Sequence, residues 1–210
     1  ALGIEIVHDG EATVIPGADQ TPVLSALIAA DADMVWTTVS PSVLAGLAGG
    51  ANAEGYLPMW SGNLPSFSYL LLGSAVGPLL DTNYIVNSYI VTWNTEGVAG
   101  LDEMKDWMGK HNPELPISDS YIIGWTEAMA AHQVLERAAA DGDLTRAGVI
   151  AAFNKVTVDY KGLAPNQSWG GDANDNVIRE TYSYDVVLAD YDAGATIADG
   201  GGTGTVLLRG

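Results

Sequence analysis

The stretch that most constrains this chain covers residues 21–63, where two helix-like segments alternate with two strand-like segments. Each helical segment has apolar residues three and four positions apart, and a short apolar run follows it. The apolar positions are Val23, Leu24, Leu27 and Ile28 in the first segment, and Val43, Leu44 and Leu47 in the second. This alternation predicts an α/β fold in which parallel sheets are flanked by crossover helices.

Polar residues follow both strand-like runs of this stretch. Residues 37–42 come after the run 34–36, and residues 61–63 come after the run 56–60. In open parallel sheets, ligands bind outside the carboxyl ends of the strands. We therefore expect these two polar segments to lie at a ligand-binding edge.

Composition excludes several classes of function. The formal net charge is −18, and the eight Lys and Arg residues are scattered, which argues against a nucleic-acid partner. The acidity favours solubility. The absence of cysteine excludes zinc ribbons, iron–sulfur sites, thiol catalysis and disulfide scaffolds. A hydrophobic content of 48% is enough for a packed core.

No catalytic or metal-binding constellation stands out in the sequence. There is no G-x-S-x-G motif, and His8, His111 and His132 lack partners at metal-ligand spacing. Residues 172–176 begin like a calcium loop but lack its later Gly and Glu. The glycine-rich residues 200–204 are not followed by the Lys of a phosphate loop. We predict no catalytic residue, no metal site and no cofactor, and hence a protein that is not an enzyme.

The sequence predicts neither a membrane span nor a signal peptide. No apolar run reaches the roughly 18 residues that would predict a membrane span, and no signal peptide is visible. The chain begins with Ala1 and enters a predicted strand at residues 4–7. We expect a processed, truncated or partly observed chain.

The rest of the sequence predicts more helices than strands. The predicted elements are a helix over 65–72, a loop over 73–80, a strand over 83–93, helices over 101–111, 120–140 and 146–156, a loop over 161–175 and a strand over 177–189. Thr145 is the expected N-cap of the helix over 146–156.

Three stretches carry a resemblance to a known family. The first runs from residues 16–21 to the strand 32–35, and the second combines Gly55 with residues 58–62. The third comprises the helix 121–139, the segment 142–153 and the loop 161–163. In order and spacing these resemble the type I periplasmic-binding fold, specifically the solute-binding proteins of branched-chain amino acid ABC transporters.

The resemblance implies two α/β lobes joined by three crossing segments, with the ligand in the cleft between them. Residues 1–89 and 179–210 would form part of the carboxyl-terminal lobe, and residues 90–178 would form the returning segment of the amino-terminal lobe. The amino-terminal lobe would be incomplete. Because the early loops of that lobe hold the ligand in the family, this chain alone would bind ligand poorly or not at all.

The resemblance also implies where this chain would contact a ligand. The family's aromatic contact falls near Ser40, between Thr38 and Ser42, and its acidic ammonium-binding residue falls at Asn63 or Leu64. Neither residue type matches. Burying an ammonium group without a carboxylate is costly, so an amide, a carboxylate or an aromatic acid becomes an alternative ligand.

The function implied is that of an extracytoplasmic substrate-binding component of an ABC importer. It would close by a hinge over an amino acid or a related small carboxylate or amide, and would present it to the transporter permease. Its location would be the periplasm or the cell surface, as a lipoprotein. A ligand-sensing regulatory receptor of the same fold is the first alternative, and an α/β hydrolase is the second.

Overall fold

The computed structural model of the protein describes residues 3–11, 13–15, 17–172 and 179–208. The chain divides into two compact units. Unit 1 contains residues 1–87, 183–193 and 204–210, and unit 2 contains residues 88–182 and 194–203.

Unit 1 contains both strands and helices. Its elements in chain order are α1 (Thr21–Ala30), β1 (Met34–Thr37), α2 (Pro41–Ala53), β2 (Met59–Asn63), two 3₁₀ turns (Leu64–Ser66 and Tyr69–Gly73), α3 (Gly77–Asn83) and β3 (Tyr84–Ser88). Helices dominate unit 2, with α4 (Ala99–His111), α5 (Ser120–Ala140), α6 (Arg146–Phe153), β4 (Thr157–Val158) and β5 (Gln167–Ser168). The strands β6 (Tyr182–Tyr191) and β7 (Thr203–Leu207) then return almost entirely to unit 1.

The main sheet has five strands in the order β1-β2-β3-β6-β7. β1 pairs parallel with β2, and β2 pairs parallel with β3. The parallel unit predicted for residues 21–63 is therefore confirmed, with α2 as the crossover between β1 and β2. One face of α2 is buried because its apolar residues recur at helical spacing; Val43, Leu44, Leu47, Ala48 and Ala51 form that face.

Helices form most of the core of unit 2. Its fully buried side chains include Leu101, Met104, Ile122, Val158 and Leu163. β4 and β5 pair antiparallel as a small second sheet. Thr145 caps α6 as predicted, since its side chain accepts a hydrogen bond from the backbone N–H of Gly148 at 3.2 Å.

The strand predicted for residues 4–7 is wrong. These residues have no regular secondary structure, and the side chains of Ile4 and Ile6 are 78% and 83% exposed. A strand requires a neighbour for its backbone hydrogen bonds, and no described strand pairs with this segment.

The helix predicted for residues 65–72 and the loop predicted for residues 73–80 are also wrong. Phe67 and Ser68 have extended backbone angles, so only two short 3₁₀ turns form on either side of them. α3 then begins at Gly77, with Pro78 in its first turn, where proline is well tolerated.

The strand predicted over 83–93 is much shorter in the structure. β3 ends at Ser88 because the Ser88 hydroxyl makes local hydrogen bonds with the backbone N–H (3.1 Å) and carbonyl (2.6 Å) of Ile90. The strand predicted over 177–189 corresponds to β6, although residues 177 and 178 lie outside the described residues. Most of the calcium-loop-like segment, residues 173–176, lies outside them too.

The helices of the described residues differ in length and in apolar content. None of them is both long and apolar enough to cross a membrane. The described part of the chain also contains no group of three or more His, Asp or Glu residues that could hold a metal ion.

Candidate functional site

The carboxyl ends of three parallel strands meet at one edge of the unit 1 sheet. The register pairs Thr37 of β1 with Gly62 of β2, and Asn63 of β2 with Asn87 of β3. The polar segments 37–42 and 61–63 therefore lie together, as the strand order predicts. We call this region the strand-end edge.

Partly buried hydrogen bonds join the strands at this edge. The side-chain amide of Asn87 donates to Ser61 Oγ at 2.9 Å, and Ser183 Oγ donates to Asn87 Oδ1 at 2.8 Å. Asn87 thus bridges the side chains of β2 and β6. Because both groups of its amide are engaged, this side chain is held in one orientation.

A second set of hydrogen bonds fixes Asn63. Ser66 Oγ lies 2.7 Å from Asn63 Oδ1 and 3.3 Å from the carbonyl oxygen of Thr37, and its single proton can serve either acceptor. Because the Asn63 oxygen accepts from Ser66, its half-buried NH₂ group is the part that can donate to a ligand.

The start of α2 adds exposed hydroxyl groups. Ser40 is the N-cap residue but makes no side-chain capping bond, and its Oγ lies 3.1 Å from Ser42 Oγ. Thr38, immediately after β1, is exposed. The helix therefore begins with hydroxyls that face solvent, next to backbone N–H groups of its first turn.

Leu64 differs from the other predicted site residues. It is only 8% exposed and begins the first 3₁₀ turn. The structure thus gathers Ser40 with Ser42, and links Asn63 to the end of β1 through Ser66. Leu64 packs into unit 1 rather than facing solvent.

At this edge the side chains of Tyr84 and Thr37 pack tightly against the backbone of Gly62. A Cβ atom on Gly62 would collide with the Tyr84 hydroxyl and the Thr37 side chain, so only glycine fits there. Burial raises the pKa of Tyr84 to about 12, although the neighbouring Thr37 side chain acts in the opposite direction. The phenol stays neutral and forms no well-aligned hydrogen bond with the described residues.

The side chains that make the described hydrogen bonds of the strand-end edge are uncharged. Residues 1–104 contain no Lys or Arg, and the described hydrogen-bonding side chains at the edge are hydroxyls and amides. Such an edge can bind the polar group of a small ligand by hydrogen bonds.

Sequence reasoning missed Ser66, Asn87, Ser183 and Tyr84 as parts of this region. Asn87 and Ser183 are polar residues inside strand-like runs, a break in the apolar pattern that could have marked them. Tyr84 begins a strand, and no local pattern indicates where its hydroxyl reaches.

Comparisons with known proteins identify the family and the fold of the chain. A family model described as "Periplasmic binding protein" matches residues 1–193. A fatty acid ABC transporter substrate-binding protein from Thermomonospora curvata has a similar structure, with a TM-score of 0.76, 21% identity, and coverage of 92% of this chain and 46% of the other. A branched chain amino acid ABC transporter from Thermus thermophilus with bound valine gives a TM-score of 0.62 at 14% identity, over 85% and 47% of the two chains.

A third solved structure, a periplasmic binding protein type 1 from Bordetella pertussis Tohama I, gives a TM-score of 0.61 at 15% identity, over 86% and 50% of the two chains. A comparison with curated protein sequences finds no match. The chain spans about half the length of the solved structures it resembles. It has the α/β fold of type I periplasmic binding proteins and belongs to the periplasmic binding protein family.

Proposed function

We propose that this chain is part of the extracytoplasmic substrate-binding component of an ABC importer. The strand-end edge of unit 1 carries the proposal, because it gathers hydrogen-bonding side chains where α/β sheets bind ligands. The described groups suit binding rather than bond-breaking chemistry. A transporter permease would be the partner, and the periplasm or the cell surface, through a lipid anchor, would be the location.

Five residues form the proposed ligand contacts. Thr38, Ser40 and Ser42 offer exposed hydroxyls, and Asn63 offers its NH₂ group. Leu64, which is buried, would contribute through its backbone or as an apolar wall. In the two-lobed arrangement implied by the family, residues 1–89 and 179–210 would belong to one lobe and residues 90–178 to the other.

The chemistry of the edge favours a small carboxylate or amide over an α-amino acid. An ammonium group needs a carboxylate partner when it is buried, and Asn63 supplies an uncharged amide instead. A carboxylate or amide oxygen can accept hydrogen bonds from Asn63 and from the hydroxyls of Ser40 and Ser42. Relatives in structure include one described as a fatty acid ABC transporter protein and one with bound valine, so both ligand classes are named for this fold.

Three matched compounds test this preference on the intact protein that contains the chain. Valine, 3-methylbutanoate and 3-methylbutanamide share one carbon skeleton and differ in the ammonium and carboxylate groups. We expect thermal stabilisation by 3-methylbutanoate or its amide to exceed that by valine at equal concentration. If none of the three raises the melting temperature and the protein instead hydrolyses esters or amides, the proposal is wrong.

The variant Asn63→Asp sharpens the test. A carboxylate at this position should raise the affinity for valine and lower that for 3-methylbutanoate, by about tenfold if one charged hydrogen bond is exchanged. Asn52→Asp is the control, because it adds the same charge at an exposed position near the end of α2. Equal effects of the two variants in a titration would assign the change to net charge and remove Asn63 from the site.

A further inference from the structure

Unit 2 buries a carboxylate that the proposed function does not use. Asp119 is only 7% exposed and immediately precedes α5. It makes no side-chain capping bond to α5, so the usual reason for an Asp at this position does not apply. Its Oδ1 instead accepts a hydrogen bond from the backbone N–H of Trp93 at 2.5 Å.

The same carboxylate also reaches a segment distant in sequence. The Thr203 hydroxyl lies 3.5 Å from Asp119 Oδ1. The backbone N–H of Thr203 donates to Asn94 Oδ1 at 2.9 Å. Trp93, Asn94, Asp119 and Thr203 thus form one buried polar cluster, which we call the clasp.

Backbone pairing places Asp119 beside that distant segment. The N–H of Ile117 donates to the carbonyl of Ala195 at 3.2 Å, and the N–H of Ile197 donates to the carbonyl of Leu115 at 2.9 Å. Pro116 and Thr196 form an antiparallel bridge between the same two segments. The start of α5 and the chain leading to Thr203 are therefore held side by side independently of the clasp.

Three residues of the clasp lie close to the points where the chain enters and leaves unit 2. Unit 2 begins at residue 88, shortly before Trp93 and Asn94, and its last segment ends at Thr203. The clasp therefore ties the segment by which the chain first enters unit 2 to the segment by which it last leaves. We propose that Asp119 is a positioning residue that holds these two connecting segments together inside unit 2.

The pKa of Asp119 gives a second observation by which this role can be tested. Burial raises the pKa of Asp119 to about 6, while the hydrogen bonds from Trp93 and Thr203 and the charge of Lys105 act against that shift. Lys105 Nζ lies 5.1 Å from the centre of the Trp93 ring, and burial lowers its own pKa against the charges of Asp102, Asp119 and Glu96. Because the folded-state pKa of Asp119 is raised above its unfolded value, its protonated form favours folding and that contribution is lost as pH rises through about 6.

Amide hydrogen exchange of the whole chain tests the clasp. In Asp119→Ala, the Trp93 N–H and the Thr203 hydroxyl lose an acceptor, so peptides covering residues 91–95 and 196–203 should exchange at least about tenfold faster. In Asp119→Asn, an amide oxygen can still accept from Trp93, so the change should be less than about threefold. Peptides from α6 should not change in either variant.

Asp106→Ala is the matched control, since it removes an exposed carboxylate of α4 paired with Lys110. Exchange at 91–95 that is unchanged in Asp119→Ala, or equally fast in Asp106→Ala, would overturn the proposal. If Asp119→Ala does not fold, Thr203→Val provides the test, because it removes the hydroxyl while keeping the shape of the side chain. Exchange at 196–203 should then rise, and an unchanged rate would overturn the proposal.

A pH series tests whether Asp119 is the group in the clasp that titrates near pH 6. The melting temperature of the unmodified chain should fall relative to that of Asp119→Asn as pH rises from about 5 to about 7, because the asparagine cannot ionise. If the difference in melting temperature between the two proteins stays constant over this range, Asp119 is not the titrating group. Its ionisation then plays no part in the stability of the clasp. These measurements use no ligand, so their outcome is independent of the proposed transport function.

Discussion

The two units of this molecule differ in the distribution of their charged side chains. Residues 1–104, which include most of unit 1, contain no Lys or Arg. The ion pairs that Lys and Arg make among the described residues all lie in unit 2: Asp106–Lys110, Arg137–Asp141, Lys155–Asp141 and Lys161–Glu103. The described part of unit 1 is therefore stabilised by packing and by hydrogen bonds rather than by ion pairs, and most of its acidic side chains lie in a stretch without basic residues.

Buried polar groups show the same contrast. At the strand-end edge of unit 1, buried serine and threonine hydroxyls are satisfied by amides and carbonyls. In unit 2 a whole carboxylate, Asp119, is buried against an N–H and a hydroxyl. Neutral groups cost less to bury than charges, so unit 1 keeps a polar edge that is insensitive to pH over the range where Asp119 titrates.

The largest expected effect in this comparison comes from the tight packing under the strand-end edge. In Gly62→Ala the new methyl group must displace Tyr84 or Thr37, so the free energy of unfolding should fall by about 1–3 kcal/mol. Gly46→Ala is the control, because a methyl group at this site in α2 meets no atom within 4 Å. That change should stabilise the chain by about 0.5–1 kcal/mol in urea unfolding.

Equal effects of the two glycine variants would show that packing under the edge is loose. Unit 1 would then need another source of stability to make up for its lack of ion pairs among the described residues. Exchange rates of β2 peptides in Gly62→Ala distinguish a local loosening from a loss of the whole unit.

The sequence predicted the part of the fold that depends on local pattern. The alternation within residues 21–63 predicted α1, β1 and α2, since helical and strand periodicities reflect which faces are buried. It predicted the second strand too early, over residues 56–60, whereas β2 covers Met59–Asn63. It failed for residues 4–7, because an apolar alternation predicts a strand only where a partner strand exists. It also failed at Ser88, where a side chain competes with the sheet for backbone groups.

The candidate site was predictable to a similar extent. The polar segments 37–42 and 61–63 could be placed at one edge, since parallel strands end together. Residues 61–63 were expected to follow the strand, but they are its last three residues. The contributions of Ser66, Asn87 and Ser183 depend on a turn, on β3 and on a strand almost a hundred residues further along the chain. Sequence spacing alone does not bring such residues together.

A smaller effect is expected from ionic strength. In unit 1 the acidic side chains repel one another with few basic residues nearby in sequence, so added salt should screen that repulsion and slow exchange of α1 and α2 peptides. In unit 2 the same salt weakens exposed pairs such as Lys161–Glu103, so its helices should gain less. Hydrogen exchange in about 0.1 M and about 1 M NaCl, at a fixed pH of about 7, compares the two units within one sample. An equal change in the exchange rates of both units would mean that the difference in charge distribution between them does not affect their stability.

The smallest effect should come from the Asp141 network that joins α5 to α6. Arg137 Nε and Lys155 Nζ lie 3.1 and 3.0 Å from its carboxylate, and hydrogen bonds from Lys155 and Arg137 lower the pKa of Asp141. A lowered pKa means that its contribution is present above the unfolded value near 3.8 and is lost as pH falls through the folded value. Because the network faces solvent, Asp141→Asn should lower the melting temperature at about pH 7 less than Gly62→Ala does, and its effect should shrink as pH falls below the unfolded value. A larger loss than for Gly62→Ala would mean that ion pairs stabilise unit 2 as strongly as packing stabilises unit 1, which reverses the contrast between them.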